Sequence, residues 1–424
     1  MNETSELPTC LARLDWSPER LAREVNKRSG AGTISSKAPY NWLKGARPRR
    51  QLPQLVAEIL SDHLGESITV EALWPDHFAR PAAPPPTAPA SAPDPVSASV
   101  DWLVSGDAEP PVRTLGDEIP PMAVDMLGGR LQQLRGLDDN ANSKLVMEWA
   151  LQDLHWVRKL TEEHAYDAAA GRQLHRVAAE LGQLAGWLAA DLGRSDLSRS
   201  CFLAALNAAH VAGDRPLAAY IVSCMSYRSA WDGRGDEALR LIRIARMGAA
   251  REGDGLGQAL LASREARAHA SLGDAKNCER ALEEAAELTA AAPERACAPW
   301  AYWLTPAVMV ADAGRAWLEI GKPQRAEWHL ARGIELLGDS QPRNRLLHWT
   351  SLAEARLARR EVDGAAAAAA EALTLAEGIT SLRADVRLAA LRRRFVRYDT
   401  PVARQTVRRA DDLLCRAGAL RPAC

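Results

Sequence analysis

Aromatic side chains are scarce in this chain: they make up 5% of its 424 residues, and runs of β-branched or aromatic residues hardly occur. Those are the residue types that β-strands favour, so the sequence offers little from which a sheet could be built. Alanine, leucine, arginine and glutamate lose little side-chain freedom in a helix, and they occur nearly everywhere after residue 120. The composition therefore predicts an all-α protein, and the length predicts two or three folding units.

Cysteine pairs and long apolar runs are missing as well. The seven cysteines form no CxxC pair and have no matching histidine spacing, which argues against a zinc site and against a disulfide framework. The longest nearly apolar run is interrupted by Pro299 and Pro306, and it is shorter than the ~20 residues that a bilayer requires. The amino-terminal residues lack a signal-peptide pattern. We therefore expect a cytoplasmic protein with no membrane partner.

The sequence motifs of catalysis and cofactor binding are also absent. The chain contains no P-loop, no dinucleotide-binding glycine fingerprint, no HExxH and no GxSxG, and its nine histidines are scattered singly. Histidines within helical segments are far more often satisfied helix residues than ligands. We expect a protein that is not an enzyme and that holds no cofactor and no metal.

Proline is present in quantity, and it is concentrated in one stretch. Residues 79–100 include seven prolines and almost nothing that could build a core. Because proline favours extended polyproline II geometry, the stretch is expected to separate two bodies as a linker. Further prolines up to residue 121 delay the second body, so three segments are predicted: 1–78, 79–119 and 120–424.

Three short helices are predicted ahead of the linker. A serine cap at Ser17, followed by proline and glutamate, is typical of a helix start, and Gly30 is typical of its end. Residues 34–44 predict a second helix, in which Pro39 is tolerated because it falls in the first turn. A third helix is predicted over residues 52–64. The apolar residues expected to close the core follow it: Ile68, Val70, Leu73 and Trp74.

Positive charge is concentrated between residues 20 and 50, although the net charge of the chain is -1. This stretch holds nine arginines and lysines against one glutamate, a net charge of +8. Such a cluster is expected where a protein contacts a phosphate backbone. A solvated basic face is the alternative that charge alone leaves open.

The part after residue 120 carries a weak internal repeat. Five turn-like positions are each followed, five and twelve residues later, by a small side chain. Small residues seven positions apart lie on one helix face and let a second helix approach closely, as stacked helical hairpins require. The intervals of 40, 40, 48 and 39 residues exceed the roughly 34 of a standard tetratricopeptide unit, which indicates extended helices or loops. Chance in an alanine-rich sequence is the alternative. The turns are Gly193, Gly233, Gly273, Gly321 and Arg360; the small residues are Ser198 and Ala205, Ala238 and Ala245, Cys278 and Ala285, Ala326 and Gly333, and Ala365 and Ala372.

The first segment resembles a known DNA-binding motif, the helix-turn-helix of actinobacterial regulators of the Xre type, on the stretch WSPERLAREVNKRSGAGTISSKAPYNWLKGARPRR. The later stretch LAGWLAADLGRSDLSRSCFLAALNAAHVAGD is similar to the helical-repeat half of the same regulators. The resemblance implies a helix-turn-helix domain over residues 1–78, a Pro/Ala-rich linker over 79–119 and a tetratricopeptide-like α-solenoid over 120–424. One departure is NKRSGAGT, which is longer than the tight turn typical of the motif.

The resemblance also implies which residues meet DNA. In this motif the second helix lies in the major groove with its N-terminal residues at the base edges, and here that helix is placed at residues 36–44. Asparagine can bond an adenine edge and lysine a guanine edge; capping, packing and solvation are the alternative roles of these side chains. Trp42 is assigned to the core. The candidate base readers are Ser36, Lys37, Tyr40 and Asn41, and the further DNA contacts are Lys44, Arg47, Arg49 and Arg50, of which the arginines are expected at phosphates.

A regulator of this kind has double-stranded DNA as its partner. One short recognition helix reads too few base pairs to be selective, so a homodimer on two half-sites is expected. Stacked hairpins form a concave groove suited to a peptide or protein effector, and the candidate contacts there are Trp300, Tyr302 and Trp303, bracketed by prolines. Tryptophans of such repeats are more often core. The alternative function is a non-enzymatic interaction scaffold with a weak or non-specific DNA-binding module.

Overall fold

The computed structural model describes residues 5–30, 32–44, 46, 48, 52–64, 68–74, 94–106, 108–109, 111–140, 143–249, 255–292 and 299–416. Over these ranges the chain is helical apart from turns and two isolated β-bridges, so the all-α prediction is confirmed. The chain divides into two compact units, Met1–Ser91 and Ala92–Cys424. None of the described helices is long and apolar enough to cross a bilayer.

In its described residues the first unit contains five helices: α1 (Leu7–Arg13), α2 (Pro18–Ser29), α3 (Ala38–Leu43), α4 (Leu52–Leu64) and α5 (Val70–Leu73). The start of α2 is the predicted one, because the Ser17 hydroxyl accepts a hydrogen bond from the Arg20 backbone N–H at 3.3 Å. Gly30 ends the helix with a φ of 103°, a backbone conformation that glycine adopts without a steric penalty. The predicted bounds of α4 are also confirmed.

Two tryptophans hold the core of the first unit together. Trp42 on α3 and Trp74 after α5 are buried and meet edge to face, with ring centroids 6.3 Å apart. They pack with apolar residues of α1, α2 and α4, among them Leu7, Val25 and Leu60. The assignment of Trp42 to the core is thereby confirmed.

Helix α3 is shorter than predicted. It spans Ala38–Leu43 rather than residues 34–44. Proline lacks a backbone N–H and disfavours helical geometry in the residue before it, so a helix that contains Pro39 starts next to it and not five residues earlier. Ile34 is instead held to α2, because its backbone N–H and C=O both bond the Asn26 side-chain amide, at 2.8 and 2.9 Å. The long connection between the two helices is therefore an ordered turn attached to α2.

The second unit begins earlier than the predicted linker end at residue 119. Asp94 caps a helix, α6 (Pro95–Val104), that packs on the outside of the repeat helices. Its Trp102 is buried and lies directly on Gly248, where a Cβ atom would come within 2.1 Å of the indole ring. Residues 111–119 then bond the backbone of residues 165 and 166. The Pro/Ala-rich composition around α6 does not predict that this helix packs on the repeat helices, because Trp102 is its only large buried apolar residue.

The rest of the second unit is a stack of helical hairpins. After α7 (Pro121–Asn140) and α8 (Ser143–Glu163), the helices pair consecutively. The pairs are α9 (Ala168–Asp191) with α10 (Ser195–Val211), α11 (Arg215–Trp231) with α12 (Gly235–Ala249), α13 (Gly255–Ser271) with α14 (Ala275–Ala291), α15 (Pro306–Glu319) with α16 (Pro323–Leu337), α17 (Pro342–Ala358) with α18 (Val362–Ala376), and α19 (Leu382–Phe395) with α20 (Pro401–Arg416). This is a tetratricopeptide-like α-solenoid with helices longer than the standard unit, as the residue intervals predicted.

All five predicted turns lie between the two helices of a pair. Each has a positive φ, from 66° at Arg360 to 77° at Gly233. All ten of the predicted small residues are buried, as expected for the face of each second helix that meets the first. The internal repeat is therefore real, and chance is excluded as its explanation.

The two helices of each pair occupy different layers. In the first helices, long stretches are buried on every side, as in residues 217–227 of α11 and 259–270 of α13. The second helices bury a single face, as α12 does with Ala238, Leu241 and Ala245. The first helices therefore form an inner layer and the second helices an outer one.

Small residues set the distance between the layers. At Gly333 on α16, a Cβ atom would lie 2.5 Å from the Ala311 Cβ and 2.7 Å from the Ala311 Cα on α15. Real Cβ contacts do not come so close, so the two helix backbones touch where glycine is required.

Replacing this glycine should destabilise the second unit. Gly333→Ala is expected to lower the free energy of unfolding by about 1–2 kcal/mol, because overpacking outweighs the gain in helix propensity. Gly129→Ala on α7 is the matched control: no atom lies within 4 Å of its Cβ position. The control should raise stability by up to about 1 kcal/mol. Urea unfolding measures both, and equal shifts in the two variants would contradict the close approach.

Candidate functional site

The predicted DNA contacts that the structure describes are exposed on and beside α3. Tyr40 and Asn41 lie on the helix, whereas Ser36 and Lys37 precede it and Lys44 follows it. All five side chains are exposed, while the neighbouring Trp42 is buried. The remaining three predicted contacts, Arg47, Arg49 and Arg50, lie outside the described residues.

Part of the basic cluster is engaged within the first unit. Arg28 forms an ion pair with Asp62, and the Tyr40 hydroxyl donates a hydrogen bond to the Glu19 carboxylate. That hydrogen bond raises the pKa of Tyr40 and ties the exposed face of α3 to α2. Lys37 has no ion-pair partner among the described residues, so its charge faces solvent.

The second unit contains a cavity at the centre of its inner layer. Its inner volume is about 90 Å³, and the empty space counted out to the open mouth is about 870 Å³. Its walls come from α7 and from five inner helices, α9, α11, α13, α15 and α19, together with the start of α17 and the segment before α15. The lining is rich in arginine and aromatic side chains: Arg135, Arg264, Arg315, Arg343, Arg383, Trp187, Tyr220, Tyr227, Trp300, Tyr302 and Trp303.

The cavity exists because the stack of hairpins curves back on itself. Asp191, at the end of α9, forms a buried ion pair with Arg383 on α19, with a nitrogen–oxygen distance of 3.1 Å. Arg343 on α17 pairs with Asp138 on α7 at 2.9 Å and lies 3.7 Å from Asp191. The partners are about 200 residues apart in sequence, so these pairs join the beginning of the stack to its end.

The aromatic segment predicted as a partner contact forms one wall of this cavity. Trp300 is buried and stacks on Tyr220, with ring centroids 4.5 Å apart and 14° between the planes. The indole N–H of half-buried Trp303 donates to the Tyr220 hydroxyl at 3.2 Å. Tyr302 stays 40% exposed at the rim, where the Arg135 guanidinium lies 5.5 Å from its ring centroid. The three side chains thus share one site but differ widely in exposure.

Tyr227 lies in the most positive part of the cavity. The Arg315 guanidinium donates to its hydroxyl at 2.8 Å, and the Arg264 guanidinium lies 3.9 Å from its ring centroid. Burial by itself would raise the pKa of Tyr227, but the positive charges of Arg315 and Arg383 outweigh it and lower that pKa to about 7. A phenol that loses its proton so easily reports an excess of positive charge around it.

Of the two aspartates in the cavity wall, Asp312 reports the same positive field, whereas burial dominates at Asp138. Burial would raise the pKa of Asp312, but Arg264 and Arg315 lower it. Burial raises the pKa of Asp138 in spite of its partner Arg343. The described ranges hold no group of three or more histidine, cysteine or acidic residues placed to bind a metal ion.

Reasoning from sequence missed the charged residues of the site. Arg264, Arg315 and Arg383 lie on different helices, and no local motif connects them. A signal was present in the repeat itself, because arginines sit within the first helix of each pair, which is enclosed by small and apolar residues. Charged residues within buried helices are rarely structural alone.

Comparison with known proteins gives limited matches. Residues 7–73 match the family model described as the SP15 N-terminal domain, which covers well under half of the chain. Among solved structures, BtubC (BKLC) from P. vanneervenii is 17% identical, over 56% of this chain and 91% of that one, with a TM-score of 0.40. The TPR-like repeats of a Podosopora anserina protein described as a kinesin light chain are 19% identical, over 48% of this chain and 95% of that one, with a TM-score of 0.33. No curated protein matches. Since both TM-scores are below 0.5, the repeat architecture rests on the helix pairs described above.

The ion pair of Asp191 should be important for stability. Asp191→Asn leaves the buried guanidinium groups of Arg343 and Arg383 short of compensating charge, and about 3–5 kcal/mol of unfolding free energy should be lost. Asp339→Asn is the matched control, because Asp339 pairs with Arg345 at 3.1 Å but is fully exposed. Denaturant unfolding should leave the control unchanged within error. Equal stability of the two variants would show that the ends of the stack are not held by this pair.

Tyr227 should lose its proton at a lower pH than the other tyrosines of the chain. Its pKa of about 7 predicts one tyrosinate by about pH 8.5, seen as absorbance near 295 nm, because ordinary phenols ionise only near 10. The pKa values of Tyr40, Tyr166 and Tyr220 are raised, so they do not overlap with it. The early phase should vanish in Tyr227→Phe.

The same shift predicts a pH dependence of stability. Between pH 7 and 10 the folded form has released the Tyr227 proton and the unfolded form has kept it, so stability gained from this group increases with pH. The stability advantage of the wild type over Tyr227→Phe should therefore grow across this range. An advantage that shrinks as pH rises would contradict the positive field.

Proposed function

We propose that this chain is a DNA-binding transcriptional regulator whose second unit receives the regulatory signal. The observation that carries the proposal is the exposed face around α3. Asn41 on α3, Lys37 just before the helix and Lys44 just after it are exposed, and buried Trp42 anchors the helix to a compact helical unit. An anchored helix with exposed amide and ammonium groups has the shape and chemistry for the major groove of DNA.

Each group on this face has a distinct task in the proposal. The Asn41 amide can bond the N6 and N7 edge of adenine, and the Lys37 ammonium can donate to guanine. Lys44, at the far end of the helix, contacts a phosphate and fixes the position of the protein without reading sequence. Tyr40 is the weakest candidate reader, because its hydroxyl is already bonded to Glu19.

A second candidate function, protein interaction through the helical repeats, has an observation of its own. Helix α8 exposes an apolar stripe of one helix face: Leu145 is 42% exposed, Trp149 37% and Trp156 50%. Exposed tryptophans on a helix face are typical of an interaction surface. In a regulator this surface would join two copies as the proposed homodimer, and in a scaffold it would hold another protein.

Selection from a random duplex library, followed by fluorescence anisotropy with the full chain, tests the regulator. We expect an inverted repeat of short half-sites. Lys37→Ala and Asn41→Ala should each cost about 1–3 kcal/mol at particular base pairs and relax the preference there. Lys44→Ala should weaken all duplexes alike and reduce the salt slope by about one.

Lys322→Ala is the control for lost charge, because Lys322 is an exposed lysine of the second unit. It should leave DNA affinity unchanged. Equal, sequence-blind losses from Lys37→Ala and Asn41→Ala would contradict the base contacts. Failure of the wild type to bind any duplex at low ionic strength would leave the interaction scaffold as the better function.

A further inference from the structure

One of the arginines that line the central cavity has no hydrogen-bond acceptor among the residues that the structure describes. Arg135 pairs with Glu180, Arg315 with Tyr227, Arg343 with Asp138, and Arg383 with Asp191. Arg264 is 6% exposed and donates no hydrogen bond to any residue that the structure describes. Its guanidinium lies over the rings of Tyr227 and Trp303, and its positive charge lowers the pKa of the nearby Asp312 carboxyl.

A buried guanidinium without an acceptor is costly. It has five N–H donors, and each is expected to find an acceptor when water is excluded. Arg264 belongs to the cavity wall, so its donors can be reached from the cavity. An oxyanion placed there would supply the missing acceptors through a bidentate pair.

The charge balance of the lining favours the same kind of ligand. Two aspartates of the wall, Asp138 and Asp312, and two acids paired from behind it, Glu180 and Asp191, face five arginines, which leaves one positive charge in excess. Asp138 is bonded to Arg343, and Asp312 lies 3.8 Å from Arg315. Neither carboxylate bonds Arg264, and the lowered pKa of Tyr227 shows that positive charge prevails at this point.

The opposite part of the wall is flat and aromatic. The ring centroid of Trp303 lies 6.0 Å from the Arg264 guanidinium and 6.4 Å from the ring centroid of Tyr220, on which Trp300 stacks. Gln341 holds this segment in place by donating to the backbone oxygen of Trp303 at 2.8 Å. A planar apolar group suits such a surface, because aromatic faces stack favourably.

The size of the cavity limits the ligand. An inner volume of about 90 Å³ is several times what one water molecule needs, so a small molecule can enter through the open mouth. The Asp191–Arg383 pair joins the two ends of the stack beside the cavity, and a small ligand suits such a site better than a long peptide.

We propose that the central cavity binds a small organic anion, in which a carboxylate or phosphate group pairs with Arg264 and a flat apolar body lies against Trp303. The site combines an acceptor-free buried guanidinium, an excess of arginine and a preformed aromatic wall. Binding itself is independent of DNA. That the anion acts as the regulatory signal rests on the proposed function.

Isothermal titration calorimetry of the full chain with four probes tests the proposal. The probes are benzoate, phenyl phosphate, neutral phenol and inorganic phosphate. At least one aromatic anion should bind with a Kd of about 1 mM or tighter, and phenol should bind at least about tenfold more weakly. Comparing benzoate with phenyl phosphate distinguishes the two head groups, and inorganic phosphate isolates the contribution of the ring.

Substitution of Arg264 tests whether its guanidinium binds the anion. Arg264→Gln should weaken the bound anion at least about tenfold, and Arg264→Lys should retain part of the affinity. Arg332→Gln is the matched control, because Arg332 is an exposed arginine of α16 whose only described ion pair is with Glu335. Circular dichroism verifies that each variant folds. If Arg264→Gln is unfolded, Arg264→Lys and the comparison of the aromatic anions with phenol still test whether Arg264 binds an anion.

Three outcomes would overturn the proposal: neither aromatic anion binds, phenol binds as well as they do, or a folded Arg264 variant binds as the wild type does. Binding of a penta-glutamate peptide in place of the small anions would assign the site to peptides instead. Anisotropy with DNA, repeated with saturating probe, keeps the two proposals separate. Anion binding without DNA binding would contradict only the proposal of a DNA-binding regulator. DNA binding without anion binding would contradict only the proposed anion site.

Discussion

Buried arginines on the inner helices are the constraint on which the second unit depends. Removing an ion from water costs several kcal/mol even after the protein relaxes, so each buried guanidinium needs a well-placed partner. The partners of Arg343 and Arg383 are Asp138 and Asp191, at the other end of the stack. These pairs form only when the hairpins have curved round far enough to meet. The electrostatics of the inner layer therefore require the closed superhelix, and closure creates the cavity.

The repeat could be predicted because its causes are local. A tight turn with positive φ favours glycine, and a helix that approaches its neighbour closely needs a small side chain. Glycines and small residues therefore recur at fixed intervals in the sequence. Gly233 and Gly333 are examples, the first in a turn and the second against Ala311. Helix α4 and the start of α2 were likewise set by caps and apolar spacing. The start of helix α3 is not predicted by apolar spacing, because Pro39 disfavours helical geometry in the residue before it.

The cavity could not be predicted, because its causes are not local. An arginine within an alanine-rich helix looks the same in sequence whether it faces water or another helix. Arg264 and Arg315 become a site only when α13 and α15 are placed side by side around Tyr227. The same holds for α6, whose docking depends on Trp102 meeting a glycine far along the chain. The flanking prolines indicate from sequence that the aromatic segment is not an ordinary helix. The stacking of its Trp300 on Tyr220 depends on tertiary packing and has no sequence signal.

The longest interval in the repeat, 48 residues between Gly273 and Gly321, contains the segment that walls the cavity. Insertions in repeat proteins accumulate on the face that binds, so this irregularity and the unpartnered Arg264 point to the same place independently. A ligand that bridges α13 and this segment would touch helices from several repeats at once. Its binding free energy would then stabilise the closed stack as a whole, by an amount that grows with the logarithm of its concentration. Arg264, which would bind the anion, lines the same cavity as Arg343 and Arg383, which close the stack, so occupancy of the cavity would be coupled to the shape of the superhelix.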